Sequence, residues 1–251
     1  MWVLETVAVA FGLYSALPVP QVEWNEKNMR YALCAFPLVG AAVGLGWWGW
    51  DALSGSLGLS QLLRGAGFCA LPVLVTGGIH LDGYADTQDA LASHGSPQRK
   101  QEILRDPHCG AFAVIWLCLY FAGYFALCCT SVPWEPVALS FLLSRTLSGL
   151  SLTLFPQAQG SSLAKAFADR ADRGRVRWIL GVQALVWGGG LVYFGGVLML
   201  AALALVFAHY SFTVKRQFGG LSGDLAGWFL VRAEFWMLAA LVLKQYMEGT
   251  L

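Results

Sequence analysis

The stretch G-A-F-A-V-I-W-L-C-L-Y-F-A-G-Y-F-A-L-C-C-T, Gly110 to Thr130, contains no charged residue. A helix rises about 1.5 Å per residue, so this run is long enough to cross a hydrocarbon core of about 30 Å. Similar apolar runs lie at 31–50, 63–79, 136–155, 178–194, 196–212 and 225–243. Of the 251 residues, 57% are hydrophobic and only 12% charged, against about 25% charged in an ordinary soluble domain. The expected fold is an all-α, polytopic transmembrane bundle of about seven spans, organised as one integral membrane domain over 1–251. Residues 2–20 are apolar but include Glu5 and end in Pro18 and Pro20. They are expected to form an interfacial or re-entrant helix rather than an eighth span. They carry neither a basic start nor a small-residue cleavage site and do not read as a secretory signal.

Short loops rich in Lys and Arg stay in the cytoplasm. Lys27 and Arg30 precede the first span, and Arg99, Lys100 and Arg105 follow the second. Lys165, Arg170, Arg173, Arg175 and Arg177 follow the fourth, and Lys215 and Arg216 the sixth. The alternate loops carry no basic residue, so seven spans put all of this charge on one side. The net charge of +1 argues against a nucleic-acid partner. The six cysteines show no paired metal spacing, and five lie in or beside apolar spans, where a thiol behaves as a small hydrophobe. No phosphate-binding glycine fingerprint is present.

The chemistry concentrates in T-G-G-I-H-L-D-G-Y-A-D-T-Q-D-A-L, Thr76 to Leu91. On a helix Asp82, Asp86 and Asp89 fall at i, i+4 and i+7, on one stripe. Three carboxylates this close repel one another unless a cation neutralises them, and oxygen-only ligands favour Mg2+, Mn2+ or Ca2+ over zinc. The alternative is an ordinary solvated helix face. Gly83 and Ala85 would leave room for phosphates beside the acids. His80, two residues before Asp82, points away from the stripe and reads as structural.

A second concentration is F-G-G-L-S-G-D-L-A-G-W-F-L-V-R-A-E, Phe218 to Glu234. Gly219, Gly220 and Gly223 make a turn whose backbone N–H groups can face an anion. Asp224 follows as either a helix cap or a further metal ligand. Arg232 and Glu234 lie inside the last span, where ionisable groups are costly and are either functional or mutually paired. Arg145 is the same kind of residue: it either clamps a phosphate in a polar cavity or pairs with Glu234 to hold the bundle. Asp106 in Arg105-Asp106-Pro107 is either a fourth acid or one half of a loop ion pair.

Together these segments resemble the cobalamin (5'-phosphate) synthase family, the adenosylcobinamide-GDP ribazoletransferases. The resemblance rests on H-L-D-G-Y-A-D-T-Q-D, then L-R-D-P-H-C-G-A-F at 104–112 and G-G-L-S-G-D-L-A-G at 219–227 with Glu234 beyond. L-P-V-P at 17–20 and F-P-L-V-G-A-A-V-G at 36–44 extend it over nearly the whole chain. It implies an enzyme of the bacterial or archaeal cytoplasmic membrane, with active-site loops near 76–110, 156–178 and 213–227 on the cytoplasmic side. It implies a Mg2+-dependent transfer in which α-ribazole, or its 5'-phosphate, attacks adenosylcobinamide-GDP and GMP leaves. Asp82, Asp86 and Asp89 would then hold the metal, loop cations such as Arg105 and Lys215 the remaining phosphate charge, and Asp89 or Asp224 would take the hydroxyl proton. The lipid bilayer is the expected surround, and a homo-oligomer is left open. Three positions depart from the family pattern: Ala16 stands where a basic residue is expected, Ser222 replaces a threonine, and P-Q-A-Q-G at 156–160 lacks an arginine before its glycine. Competing readings are a CDP-alcohol phosphotransferase, whose pattern has A-R where Ala85 is followed by Asp86, and a transporter, whose acids belong nearer the midplane.

Overall fold

The computed structural model describes residues 2–158 and 171–249. Among them are eleven α-helices: α1 (Trp2–Tyr14), α2 (Glu26–Met29), α3 (Ala32–Ser56), α4 (Gln61–Thr76), α5 (Ile79–Ala92), α6 (Pro97–Ile103), α7 (Ala111–Cys128), α8 (Trp134–Leu154), α9 (Arg173–Tyr193), α10 (Val197–Thr213) and α11 (Gly223–Glu248). One π turn, Val214–Phe218, continues α10. No strand occurs among the described residues, only an isolated parallel bridge between Gln157 and Leu221.

Among the described residues six helices are long and apolar enough to cross a membrane, α3, α7, α8, α9, α10 with its π turn, and α11, and the bent pair α4 and α5 would make a seventh. This is an integral membrane bundle. The expected second span departs from a straight helix. α4 has 16 residues, about 24 Å of rise, and the chain then turns by 94° into α5. The turn is made at Gly77 and Gly78, both in the left-handed region at φ 66° and 79°, which costs glycine little and other residues more. α1 is only 13 residues long, about 20 Å, too short to cross alone; it packs along α3.

α8 and α11 are the central helices, and α7 and α9 the most peripheral. α8 buries Ser140, Ser144, Thr146, Ser148, Ser151 and Thr153, a composition that lowers its apolar signal. Most of these hydroxyls are satisfied within the helix. Ser140 donates to the Val137 carbonyl at 2.7 Å, Ser151 to that of Ser148 at 2.7 Å and Thr146 to that of Leu142 at 2.7 Å. Small side chains let neighbouring helices approach, and these bonds remove the cost of the polar atoms. Trp47 of α3 stacks on Phe68 of α4 at 4.3 Å, fixing the first two spans against each other. Outer helices show Ile115, Trp116, Leu119, Trp178, Leu185 and Leu205 on their free faces.

Candidate active site

Beyond the bend α5 runs as a separate arm, and its first acids are set by how closely it meets α11. A Cβ on Gly83 would stand 2.7 Å from the Cα of Asp224 and 2.8 Å from its carbonyl oxygen. Only a hydrogen side chain permits that crossing. The space beside Gly83 expected for a phosphate is therefore filled by the backbone of α11. The crossing puts Asp224 beside the acid stripe, although 135 or more residues separate the two in sequence.

Asp82 is exposed, and Asp86 and Asp224 are half-buried. Asp86 lies on the arm, outside the membrane-crossing helices. Partial burial and then the neighbouring charges of Asp82, Asp224 and Asp89 push its carboxyl up to about 6. A carboxylate held this way gains from any nearby cation.

Asp89 has a different employment. One of its oxygens accepts from the Gly110 N–H at 2.6 Å and the other from the Ala113 N–H at 2.9 Å. Gly110 opens α7 without a side chain to cap it, so Asp89 caps that helix from 21 residues away. Among the described residues no group of three or more His, Cys, Asp or Glu side chains is gathered as a metal cage. The expected set of Asp82, Asp86 and Asp89 is thus an exposed and a half-buried acid beside one committed to α7, with Asp224 alongside.

Asp224 is not the cap of α11. Ser222 holds that position, its hydroxyl accepting from the Leu225 N–H at 3.2 Å, so the serine that replaces threonine keeps the hydroxyl the cap requires. The loops around the acids are tied together. The ammonium of Lys100 on α6 donates to the side-chain Oε1 of Gln217 in the π turn and lies 5.9 Å from the centre of the Phe218 ring. Gln101 donates to the Phe218 carbonyl at 2.6 Å. On the other side, Ala158 N–H donates to the Leu221 carbonyl and Leu221 N–H to that of Pro156, each at 2.8 Å. Three sequence segments therefore meet at residues 217–222. Residues 159–170 of the expected active-site loop near 156–178, with Lys165 and Arg170, lie outside the described residues.

The other candidates separate. Gly219 and Gly223 are exposed on the turn, whereas Gly220 backs onto Ala158, where a Cβ would stand 2.8 Å from its backbone. Lys215 is exposed, its ammonium 5.6 Å from the Phe155 ring centre. Arg105 and Asp106 are exposed in the turn after α6. Asp106 accepts from the His108 N–H at 3.0 Å and lies 2.7 Å from His108 Nδ1, an exposed loop pair that lowers its pKa, chiefly through the backbone bond.

Of its two expected roles, phosphate clamp or partner of Glu234, Arg145 takes the pairing in this structure. It is buried in the bundle, 2.5 Å from Glu234, which also accepts from Ser144 at 2.9 Å. Glu234 is consequently not the partner of Arg232, which instead donates to His209 at 2.8 Å and covers the Trp228 ring. His80 is buried between Tyr14 and Phe36, as expected of a structural residue. The cap by Ser222 and the Lys100 anchor were not legible as site features; the S-x-x-L spacing before the last span is the signal for the first.

A family model described as cobalamin-5-phosphate synthase matches residues 6–242. The chain belongs to the cobalamin-5-phosphate synthase family. Curated relatives of this family include the adenosylcobinamide-GDP ribazoletransferase of Lachnoclostridium phytofermentans, 38% identical over 96% of this chain and 95% of that protein. Those of Clostridium perfringens strain SM101 and Geobacillus sp. strain WCH70 are 28% and 31% identical, covering 92% and 86% of this chain and 94% and 87% of theirs. No solved structure matches the chain. Membership of the synthase family spans both ends of the site, Asp82 on the arm and Asp224 on the last helix.

Proposed function

We propose that the chain joins α-ribazole, free or as its 5'-phosphate, to adenosylcobinamide-GDP, releasing GMP and completing the nucleotide loop of cobalamin. The reading rests on family membership over nearly the whole chain and, in the structure, on the contact of Gly83 with Asp224, which assembles acids from two distant segments. The enzyme works in the cytoplasmic membrane with these acids facing the cytoplasm, where its basic loops gather.

The reaction forms a bond between the ribazole hydroxyl oxygen and the phosphorus attached to cobinamide, and breaks the bond from that phosphorus to the GMP oxygen. The hydroxyl proton goes to a carboxylate. Asp89 is occupied by the α7 backbone, so Asp224 is the candidate base. Phosphoryl transfer depends chiefly on positioning and charge neutralisation. Asp82 and Asp86 suit Mg2+, which commonly takes one or two carboxylates and completes its shell with phosphate oxygens and water. When bound, the ion supplies positive charge to the diphosphate and the departing GMP. Exposed Arg105 and Lys215 carry charge suited to the remaining phosphate oxygens.

Purified protein incubated with adenosylcobinamide-GDP, α-ribazole and Mg2+ should release GMP and form adenosylcobalamin. No GMP with any divalent cation would overturn the activity, and equal rates in chelator would overturn the metal. Orientation is read from a variant retaining only exposed Cys109. An impermeant thiol reagent should label it in inverted vesicles and spare it in intact cells; the reverse pattern would overturn the cytoplasmic placement.

A further inference from the structure

On the side of α5 away from its acids lies a concavity of about 450 Å³. Tyr84, Gln88 and Leu91 line it, and at 100° per residue they face roughly opposite to Asp82, Asp86 and Asp89. The acid face and this pocket are therefore two sides of one helix.

The pocket's polar groups are predominantly donors. Arg232 gives one N–H to His209 Nδ1 at 2.8 Å. A guanidinium only donates, so that imidazole accepts at Nδ1 and carries its proton at Nε2. The indole N–H of Trp228, buried at 2% exposure, has no acceptor. The Tyr84 hydroxyl accepts from Gln88 at 3.1 Å and keeps its own proton to give. Arg232 makes no ion pair among the described residues; its guanidinium lies 4.5 Å over the Trp228 ring. A charge within a membrane helix is costly unless an anion meets it.

The rest of the wall is apolar and open to the bilayer. Trp116 and Trp236 are 43% and 48% exposed on membrane-crossing helices, as is Leu119 at 57%. His209 stands nine residues before the end of the α10 span and its π turn at Phe218, and Arg232 nine residues after the start of α11 at Gly223, so the guanidinium lies in the half of the bundle that carries Asp224 and the arm. A soluble anion would have to be stripped of water beside exposed tryptophans. A zwitterionic headgroup would bring a second cation to Arg232.

We infer that this pocket binds one anionic phospholipid, its phosphate on Arg232 and its acyl chains along Trp116, Leu119 and Trp236. The lipid would occupy the membrane side of the arm whose other side carries the reaction. The pocket's chemistry stands apart from the transfer assigned above.

The test uses the full chain in nanodiscs of mixed phosphatidylglycerol and phosphatidylcholine, released into neutral detergent and weighed by native mass spectrometry. Wild type should retain one phosphatidylglycerol, favoured roughly fivefold to tenfold over phosphatidylcholine. Arg232→Gln should lose that preference, Arg232→Lys keep part of it, and Trp236→Ala, on the rim, retain less of both lipids. Equal retention of the two lipids by wild type, or unchanged retention in both Arg232→Gln and Trp236→Ala, would overturn the site. Displacement by glycerophosphoglycerol, the headgroup without chains, at the same concentration as lipid would make it a soluble-anion site instead. None of these readouts depends on GMP release, so the transferase reading can fail separately.

Discussion

Arg145 and Arg232 are both arginines inside membrane-crossing helices, yet they have opposite surroundings. Arg145 is sealed among α8 and α11 with Glu234 at 2.5 Å and the Phe141 carbonyl at 3.0 Å. Arg232 has a neutral imidazole, an aromatic face and an open pocket. One charge is answered by the protein, and the other is left to be answered from outside. The carboxylates divide the same way. Glu234 and Asp89 are consumed by internal partners, while Asp82 and Asp86 carry unanswered charge at the edge of the bundle. On the proposed reading, Arg145, Glu234 and Asp89 hold helices together, whereas Asp82, Asp86 and Arg232 are placed for ligands.

The comparison is open to breakage in order of expected effect. Removing one half of the sealed pair, as in Glu234→Ala, should cost about 3–5 kcal/mol because a buried guanidinium is left unanswered. Thermal unfolding in detergent reads this, and Arg145→Met with Glu234→Leu should recover much of the loss. Next, Asp82→Asn or Asp86→Asn should lower the GMP-release rate by about a hundredfold or more, roughly 2.7 kcal/mol of barrier, with the unfolding temperature unchanged or raised by relief of repulsion. A parallel loss of fold would move those acids to the structural group. Asp89→Ala removes a helix cap and should cost about 0.5–2 kcal/mol, detectable as earlier hydrogen exchange at Gly110 to Ala113. Smallest is Arg232→Gln, expected within about 0.5 kcal/mol of wild type in lipid-free detergent. A loss comparable to that of Glu234→Ala would place Arg232 beside Arg145.

The spans were legible because each is a long apolar run, and Arg145 with Glu234 was legible as an intramembrane ion needing an answer. Which answer it received was not, because a clamp and a pair satisfy the same electrostatic demand. The helical spacing of Asp82, Asp86 and Asp89 was readable, and α5 is indeed a helix. The fate of Asp89 was not, since its partners lie on another helix and only the arm's direction brings them within 2.9 Å. That direction comes from Gly77 and Gly78. In a membrane protein a glycine pair reads equally well as close packing, so the 94° turn had no unambiguous sign in sequence. Gly83 was legible as a small residue among acids, but what uses the space depended on where α11 crosses.

The brevity of α4 has a consequence for the bilayer itself. Its 16 residues cover about 24 Å, some 6 Å less than an average hydrocarbon core. Hydrophobic mismatch of this size draws the local lipid surface inward or lets water follow the protein down. A crossing made by α4 alone would leave the arm beyond Gly78 below the headgroups of the surrounding leaflet. A water-soluble nucleotide diphosphate can reach such a depth without entering hydrocarbon.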